Sequence, residues 1–179
     1  MKKKIFALCG STRKNSANLQ LLKAIAWLSS DHLEIEIYDQ LASLPHFNPD
    51  IDNETPPVAI AALREKIKAA DGVLICTPEY VFSLPGSLKN LIEWMVSTTV
   101  FSHKPTAIVT ASGLGEKAHE SLQLIMKTIE AKMTEQTQLH ISGVRTKVNT
   151  DGKITDEFTL IKIKELIDSL VMLIGNNHV

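Results

Sequence analysis

Gly72–Trp94 reads GVLICTPEYVFSLPGSLKNLIEW, and its three parts decide the fold. It opens on Val73-Leu74-Ile75-Cys76, an apolar run without alternation, as in a strand buried on both faces. It closes on a helical pattern from Ser87, with Leu88, Leu91, Ile92 and Met95 on one face. Between them lie the ten residues Thr77–Gly86, carrying two prolines, the aromatics Tyr80 and Phe82, and a glycine. A minimal strand-to-helix connection takes about 2–6 residues. Ligands of open α/β sheets bind outside the carboxyl ends of the strands. This loop is therefore expected to wall a site for a flat ligand.

Working outward, Lys4–Cys9 reads as a first strand, Gly10–Ala17 as a polar loop, and Asn18–Ser30 as a helix burying Leu21, Leu22, Ile25 and Leu28. Leu33–Tyr38 alternates strictly, as a strand near a sheet edge does. Asp39–Pro57 is a long connection with four prolines, of the kind that is functional or mobile. A helix over Val58–Ala70 precedes the central strand, and a strand over Pro105–Ala111 leads into Ser112-Gly113-Leu114-Gly115. The next helix presents Leu122, Ile125, Met126 and Ile129. A more polar fifth strand covers Glu135–Ser142, Asp151-Gly152 marks a turn, and a last helix covers Asp156–Ile174. Strict alternation of strands and helices implies right-handed crossovers and a parallel sheet covered on both faces. The expected fold class is α/β, a flavodoxin-like doubly wound three-layer sandwich with strand order 2-1-3-4-5. In that order Gly10–Ala17 and Thr77–Gly86 flank the switch point between strands 1 and 3. Residues 1–179 are expected to form one domain.

A formal net charge of −1 leaves no bulk attraction to nucleic acid or to an anionic membrane. No apolar run approaches the ~20 residues of a membrane span. Lys2-Lys3-Lys4 reads as a solvated start, and the apolar run Ile5–Cys9 after it is too short for a signal sequence, so a cytoplasmic protein is expected. Cys9 and Cys76, the two cysteines, form no CxxC and cannot alone hold zinc. They read as small buried hydrophobes, or as a redox pair if their strands are neighbours. The six histidines (His32, His46, His103, His119, His140 and His178) show no metal-ligand spacing.

Gly10–Asn18 (GSTRKNSAN) packs hydroxyls, backbone N–H groups and an arginine just before a helix. Such a helix start favours an anion, with Ser, Thr and Arg as further donors to phosphate oxygens. Asn15 or Ser16 acting as N-cap is the simpler alternative, and it accounts for one side chain rather than five. The loop is not a Walker loop, which needs GxxxxGK[ST], and the dinucleotide fingerprint GxGxxG is absent. Without those glycines, Asp39 after strand 2 reads as a loop-starting acid. A mononucleotide with its phosphate on the first helix and its ring against Pro78–Phe82 fits better, and FMN has those parts.

Gly10-Ser11-x-Arg13-x-x-Ser16-x-Asn18, with Pro78-Glu79-Tyr80, Ser83, Pro85-Gly86, Leu88-Lys89-Asn90 and Trp94, resembles the NADPH-dependent FMN reductase family of flavodoxin-like proteins. The usual family pattern is GSxRxxSxN followed by PEYNxSxPGxLKNAIDW. The resemblance implies that Ser11, Arg13, Ser16, Ala17 and Asn18 hold the FMN phosphate. It implies that Pro78, Glu79, Tyr80 and Val81 line the isoalloxazine through backbone groups, and that Ser112, Gly113 and Gly115 approach its other edge. Val81 stands where the family usually has Asn, which removes a side-chain hydrogen bond but not a backbone one. Ser112–Glu116 carries fewer glycines than the family's SGGxxGG, which bears on the nicotinamide side.

The implied activity is hydride transfer from NADPH or NADH to FMN, then to a small-molecule electron acceptor such as free flavin or a quinone. No acid–base pair of the protein is expected to be catalytic, because the chemistry is the flavin's. Glu79 is either a loop carboxylate, a partner for a neighbouring subunit's base, or a proton donor. Tyr80 and Phe82 are expected to border the ring or a subunit contact. Trp94 is expected in the core or at a dimer interface. The resemblance implies a homodimer or homotetramer. The alternative is an electron carrier like flavodoxin, against which Arg13 and the near-zero net charge argue.

Overall fold

Every residue of the central strand, Gly72–Thr77, is buried, because a parallel strand in mid-sheet has helices packed on both of its faces. The computed structural model describes residues 2–149 and 151–176, so His178 lies outside the described residues. The elements are β1 (Lys3–Cys9), α1 (Ala17–Leu28), β2 (Leu33–Tyr38), α2 (Val58–Ala69), β3 (Gly72–Thr77), α3 (Gly86–Met95), β4 (Thr106–Ser112), α4 (Glu116–Thr128), β5 (Gln138–Ser142) and α5 (Glu157–Gly175). The sheet order is β2-β1-β3-β4-β5, with all neighbours parallel. β5 starts later than expected because Glu135–Thr137 closes into a 3₁₀ turn held by a Thr134–Thr137 capping box. Among the described residues no helix is long and apolar enough to cross a membrane.

The apolar runs sort their side chains by strand period. Ala7, Cys9, Leu74 and Cys76 face α1 and α5, meeting Leu21, Leu22, Ile25, Ile163 and Leu166. Phe6, Leu8, Val73 and Ile75 face α2, α3 and α4, meeting Ile60, Leu63, Leu88, Leu91 and Leu122. Trp94 belongs to this second layer and is fully buried, so it is a core residue. Its Nε1–H donates to the Pro45 carbonyl at 2.9 Å, and its ring meets Phe47 edge-on at 5.2 Å. Asn90, one helical turn earlier, donates to the same carbonyl and accepts from the Phe47 N–H.

These contacts clamp the long Asp39–Pro57 connection onto α3. Buried Arg64 of α2 completes the clamp. Its guanidinium pairs with Asp52 at 2.6 Å and donates to Ser97 Oγ at 3.0 Å and to the Trp94 carbonyl. Ser97 Oγ–H in turn donates to Asp52 at 3.1 Å.

A second device sets the β4–α4 corner. Gly115, at φ +101°, caps α4, and a Cβ there would lie 2.9 Å from His140 Nε2. That nitrogen is 2.6 Å from the Leu114 carbonyl, so His140 ties the corner to β5. His119 stacks beside it, with ring centroids 5.8 Å apart, and its Nδ1 meets Thr110 Oγ1 at 3.0 Å. Burial, and then the charge of His140, lowers the His119 pKa from 6.5 to about 4.

Removing one partner of the Arg64–Asp52 pair leaves a buried charge uncompensated. Asp52→Ala is expected to cost about 3–5 kcal/mol of stability, read as a drop in melting temperature on the order of 10 °C. An unchanged melting temperature would show that the clamp does not contribute. For His119, the unfolded chain binds the extra proton first as pH falls, because its pKa is the higher one. The associated stability is present above pH 6.5 and is lost progressively down to about pH 4. Melting temperatures of His119→Gln are expected to fall less than wild type between pH 7 and pH 4.5; parallel curves would remove this role.

Candidate functional site at the strand ends

β1 and β3 lie in register, with Cys9 beside Cys76, and the chain leaves both strands through a narrow gap. The Gly10 N–H donates to the Cys76 carbonyl at 2.7 Å. A Cβ on Gly10 would lie 2.4 Å from Thr77 Oγ1, so only glycine lets the two strands leave the sheet this close together. The loop after β1 then turns at Asn15, whose φ of 57° an asparagine tolerates. Ser16 caps α1, accepting the Leu19 N–H on its Oγ at 3.1 Å. The N–H groups of Ala17 and Asn18 find no acceptor among the described residues. Such orphan donors at a helix start make an anion site. Ser11 is buried and Arg13 is exposed.

On the opposite side, Tyr80–Ser83 forms a two-residue reverse turn closed by mutual backbone bonds of 3.0 and 3.1 Å. Val81 and Phe82 occupy its tip at φ 51° and 56°. Positive φ at both central residues is the type I′ geometry, for which Asn and Gly are the favoured residues. A β-branched valine there is strained. The family pattern's Asn thus corresponds to a backbone demand, and Val81 meets the same demand at a cost. Its side chain is 95% exposed, that of Phe82 72%, and Tyr80 is partly exposed. Glu79 reaches across to α4, accepting the Ala118 N–H on Oε2 at 2.9 Å. Gly115 has no side chain to cap that helix, so Glu79 supplies the cap from another loop.

Ser11, Arg13, Ser16, Ala17, Asn18, Pro78, Glu79, Tyr80, Ser112 and Gly113 line one cleft of about 450 Å³. Val81 and Gly115 do not line it; one sits at the turn tip, the other at the α4 cap. The cleft has a further wall that sequence reasoning missed, made by Ala111 and by Gly143–Thr146 after β5 and bearing Arg145. The signal available was positional, since loops at the carboxyl ends of neighbouring strands converge. The Gly143 N–H bonds the Gly113 carbonyl at 3.1 Å, which joins this wall to the β4 loop.

A second groove of similar volume lies between α1 and the α5 start, walled by Trp27, Leu28 and Leu160. It lacks the converging strand ends and helix-start donors, so the strand-end cleft is the candidate site. The cleft's volume falls within the range of about 300–1,000 Å³ typical of small-ligand sites. Its donors suit a phosphate at one end and a planar ring beside Pro78–Tyr80 at the other. The residues fit FMN.

Residues 3–145 match the family described as NADPH-dependent FMN reductase. The chain is 30% identical to a 2-hydroxy-1,4-benzoquinone reductase from a Burkholderia species, over 98% of both chains. It is 31% identical to a quinone reductase of Escherichia coli K12, over 89% of this chain and 88% of that one. Among solved structures, FerB, a flavoenzyme NAD(P)H:(acceptor) oxidoreductase from Paracoccus denitrificans, superposes with a TM-score of 0.86 at 28% identity. That superposition covers 97% of this chain and 98% of that one. An archaeal flavodoxin, at 12% identity and a TM-score of 0.65, shares the fold. With its family motifs gathered at the switch point of this sheet, the chain belongs to the NADPH-dependent FMN reductase family.

Proposed function

We propose that the protein is an FMN-dependent NAD(P)H oxidoreductase that passes hydride from a nicotinamide by way of FMN to a quinone or similar small-molecule acceptor. The observation that carries this reading is the single cleft in which the Ser11–Asn18 helix start faces the Pro78–Tyr80 loop. Bound FMN supplies the hydride-accepting N5 and the two-electron chemistry.

The protein's own residues bind and orient. Orphan amides at the α1 start, with Ser11, Ser16 and Arg13, hold the phosphate. Pro78–Tyr80 would lie against the ring, and the N–H groups of Glu79 and, at the turn tip, Val81 are uncommitted among the described residues. Ser112 and Gly113 border the other edge; a Cβ on Gly113 would meet nothing within 4 Å, so a ring can approach its backbone. Glu79 acts here as a positioning residue, because its carboxylate is engaged at the α4 start.

The whole chain acts as one FMN-binding domain in the cytoplasm. It works as a homodimer or homotetramer, a reading supported by the exposed Val81-Phe82 tip beside the cleft. The competing reading is a carrier without nicotinamide chemistry, like flavodoxin, whose fold this chain shares.

Purified protein is expected to show bound-flavin absorbance and to oxidise NADPH or NADH with a quinone, in parallel-line ping-pong kinetics. Failure to take up flavin would overturn the site. Flavin uptake without nicotinamide oxidation would favour the carrier. Arg13→Ala is expected to weaken FMN binding by about 1.5–3 kcal/mol, the scale of a charged hydrogen bond; fluorescence titration showing wild-type affinity would remove its phosphate role.

A further inference from the structure

Asn18 is 4% exposed at the second residue of α1 although its side chain is polar. Both ends of its carboxamide are engaged. Nδ2–H donates to the Ala111 carbonyl of β4 at 3.0 Å, and Oδ1 accepts the Cys76 S–H of β3 at 3.2 Å. The orientation is not reversible, since a carbonyl can only accept and the amide nitrogen must face Ala111. Oδ1 is thereby turned toward Cys76 and requires a donor there. The thiol is that donor, and burial pushes its pKa well up, keeping the proton on sulfur. Cys9, in register beside it, directs its own S–H to the Ser11 carbonyl at 3.6 Å. The two cysteines thus sit beneath the loop as donors and do more than fill space.

We propose that Cys76 is a positioning residue for FMN binding: its S–H, through Asn18, fixes the α1 start against β3 and β4 and so aims the orphan amides of Ala17 and Asn18 at the phosphate. This rests on the FMN reading above. Asn18 then serves the phosphate by its backbone, its side chain being spent on the sheet. Without the thiol proton, Oδ1 is a buried acceptor with no partner, and the carboxamide and the helix turn that carries it must shift to find one.

The test compares Cys76→Val, which keeps bulk and removes the donor, with Cys76→Ser, which keeps a donor. Cys76→Ala, which opens space instead, is read in the same way as the valine variant. Leu74→Ala, a truncation on the same face of the same strand at a residue that makes no hydrogen bond to Asn18, controls for lost packing and stability. FMN dissociation constants of the apo proteins are measured by fluorescence titration, with melting temperatures alongside. Cys76→Val is expected to raise the Kd about tenfold, and Cys76→Ser to stay within about threefold of wild type. Leu74→Ala is expected to lower the melting temperature while leaving the Kd within about twofold. A wild-type Kd in Cys76→Val and Cys76→Ala overturns the inference, as does a Cys76→Ser as weak as the valine variant, or a Leu74→Ala loss of equal size. Wild-type protein that takes up no FMN overturns the cofactor reading, and this one with it.

Discussion

The gap between Gly10 and Thr77 is the constraint on which the rest of the structure depends. Two neighbouring parallel strands end there, and their chains separate into helices on opposite faces of the sheet. A side chain on Gly10 would strike Thr77 and push the strand ends apart. With none, the Gly10 N–H closes onto the Cys76 carbonyl, and the loops that follow begin as neighbours. The phosphate-type helix start and the proline-braced turn face each other because the switch point places them there. Chemistry enters through backbone groups that the fold leaves uncommitted, and the role of side chains is to hold that backbone still.

That division of labour recurs around the cleft. Ser16 caps α1 locally, while Glu79 caps α4 from a distance and so couples the turn on one wall to the helix that follows the β4 loop. Asn18 ties α1 to two strands at once, and His140 ties the Leu114 carbonyl to the edge strand. The Ser16, Glu79 and Asn18 contacts each satisfy a polar group that burial or a helix end would otherwise leave without a partner. The strained Val81-Phe82 tip is the exception. It places apolar surface in solvent at positive φ, a cost that surrounding structure must offset. Such surface beside a ligand cleft suits contact with a second molecule.

The legible part of the fold was large because it rested on period. The unbroken run Val73–Cys76 and the alternating run Leu33–Tyr38 report burial on two faces and on one, and that contrast separates a central strand from an edge strand. Loop chemistry was equally local: Ser16 before α1 caps that helix. The long connection after β2 was less legible. Its prolines signal irregularity, but its anchoring comes from Asn90, Trp94 and Arg64, which lie 12 to 49 residues from the groups they hold. Trp94 left core and interface equally open because a helical face says that a residue is covered and not by what.

By itself, the sequence determined the order of strands and helices, the pair of loops at the switch point and the glycine- and hydroxyl-bearing start of α1. Those features follow from hydrophobic period and turn chemistry, which act within a few residues. Only the tertiary structure decided that the Asn18 carboxamide turns inward to β3 and β4, that Glu79 caps α4, and that Arg145 joins the cleft wall. Those outcomes depend on which side chains meet across the sheet ends. A polar residue in a loop looks alike in sequence whether it faces ligand, solvent or another helix, and its role is set by the donor or acceptor that folding brings beside it.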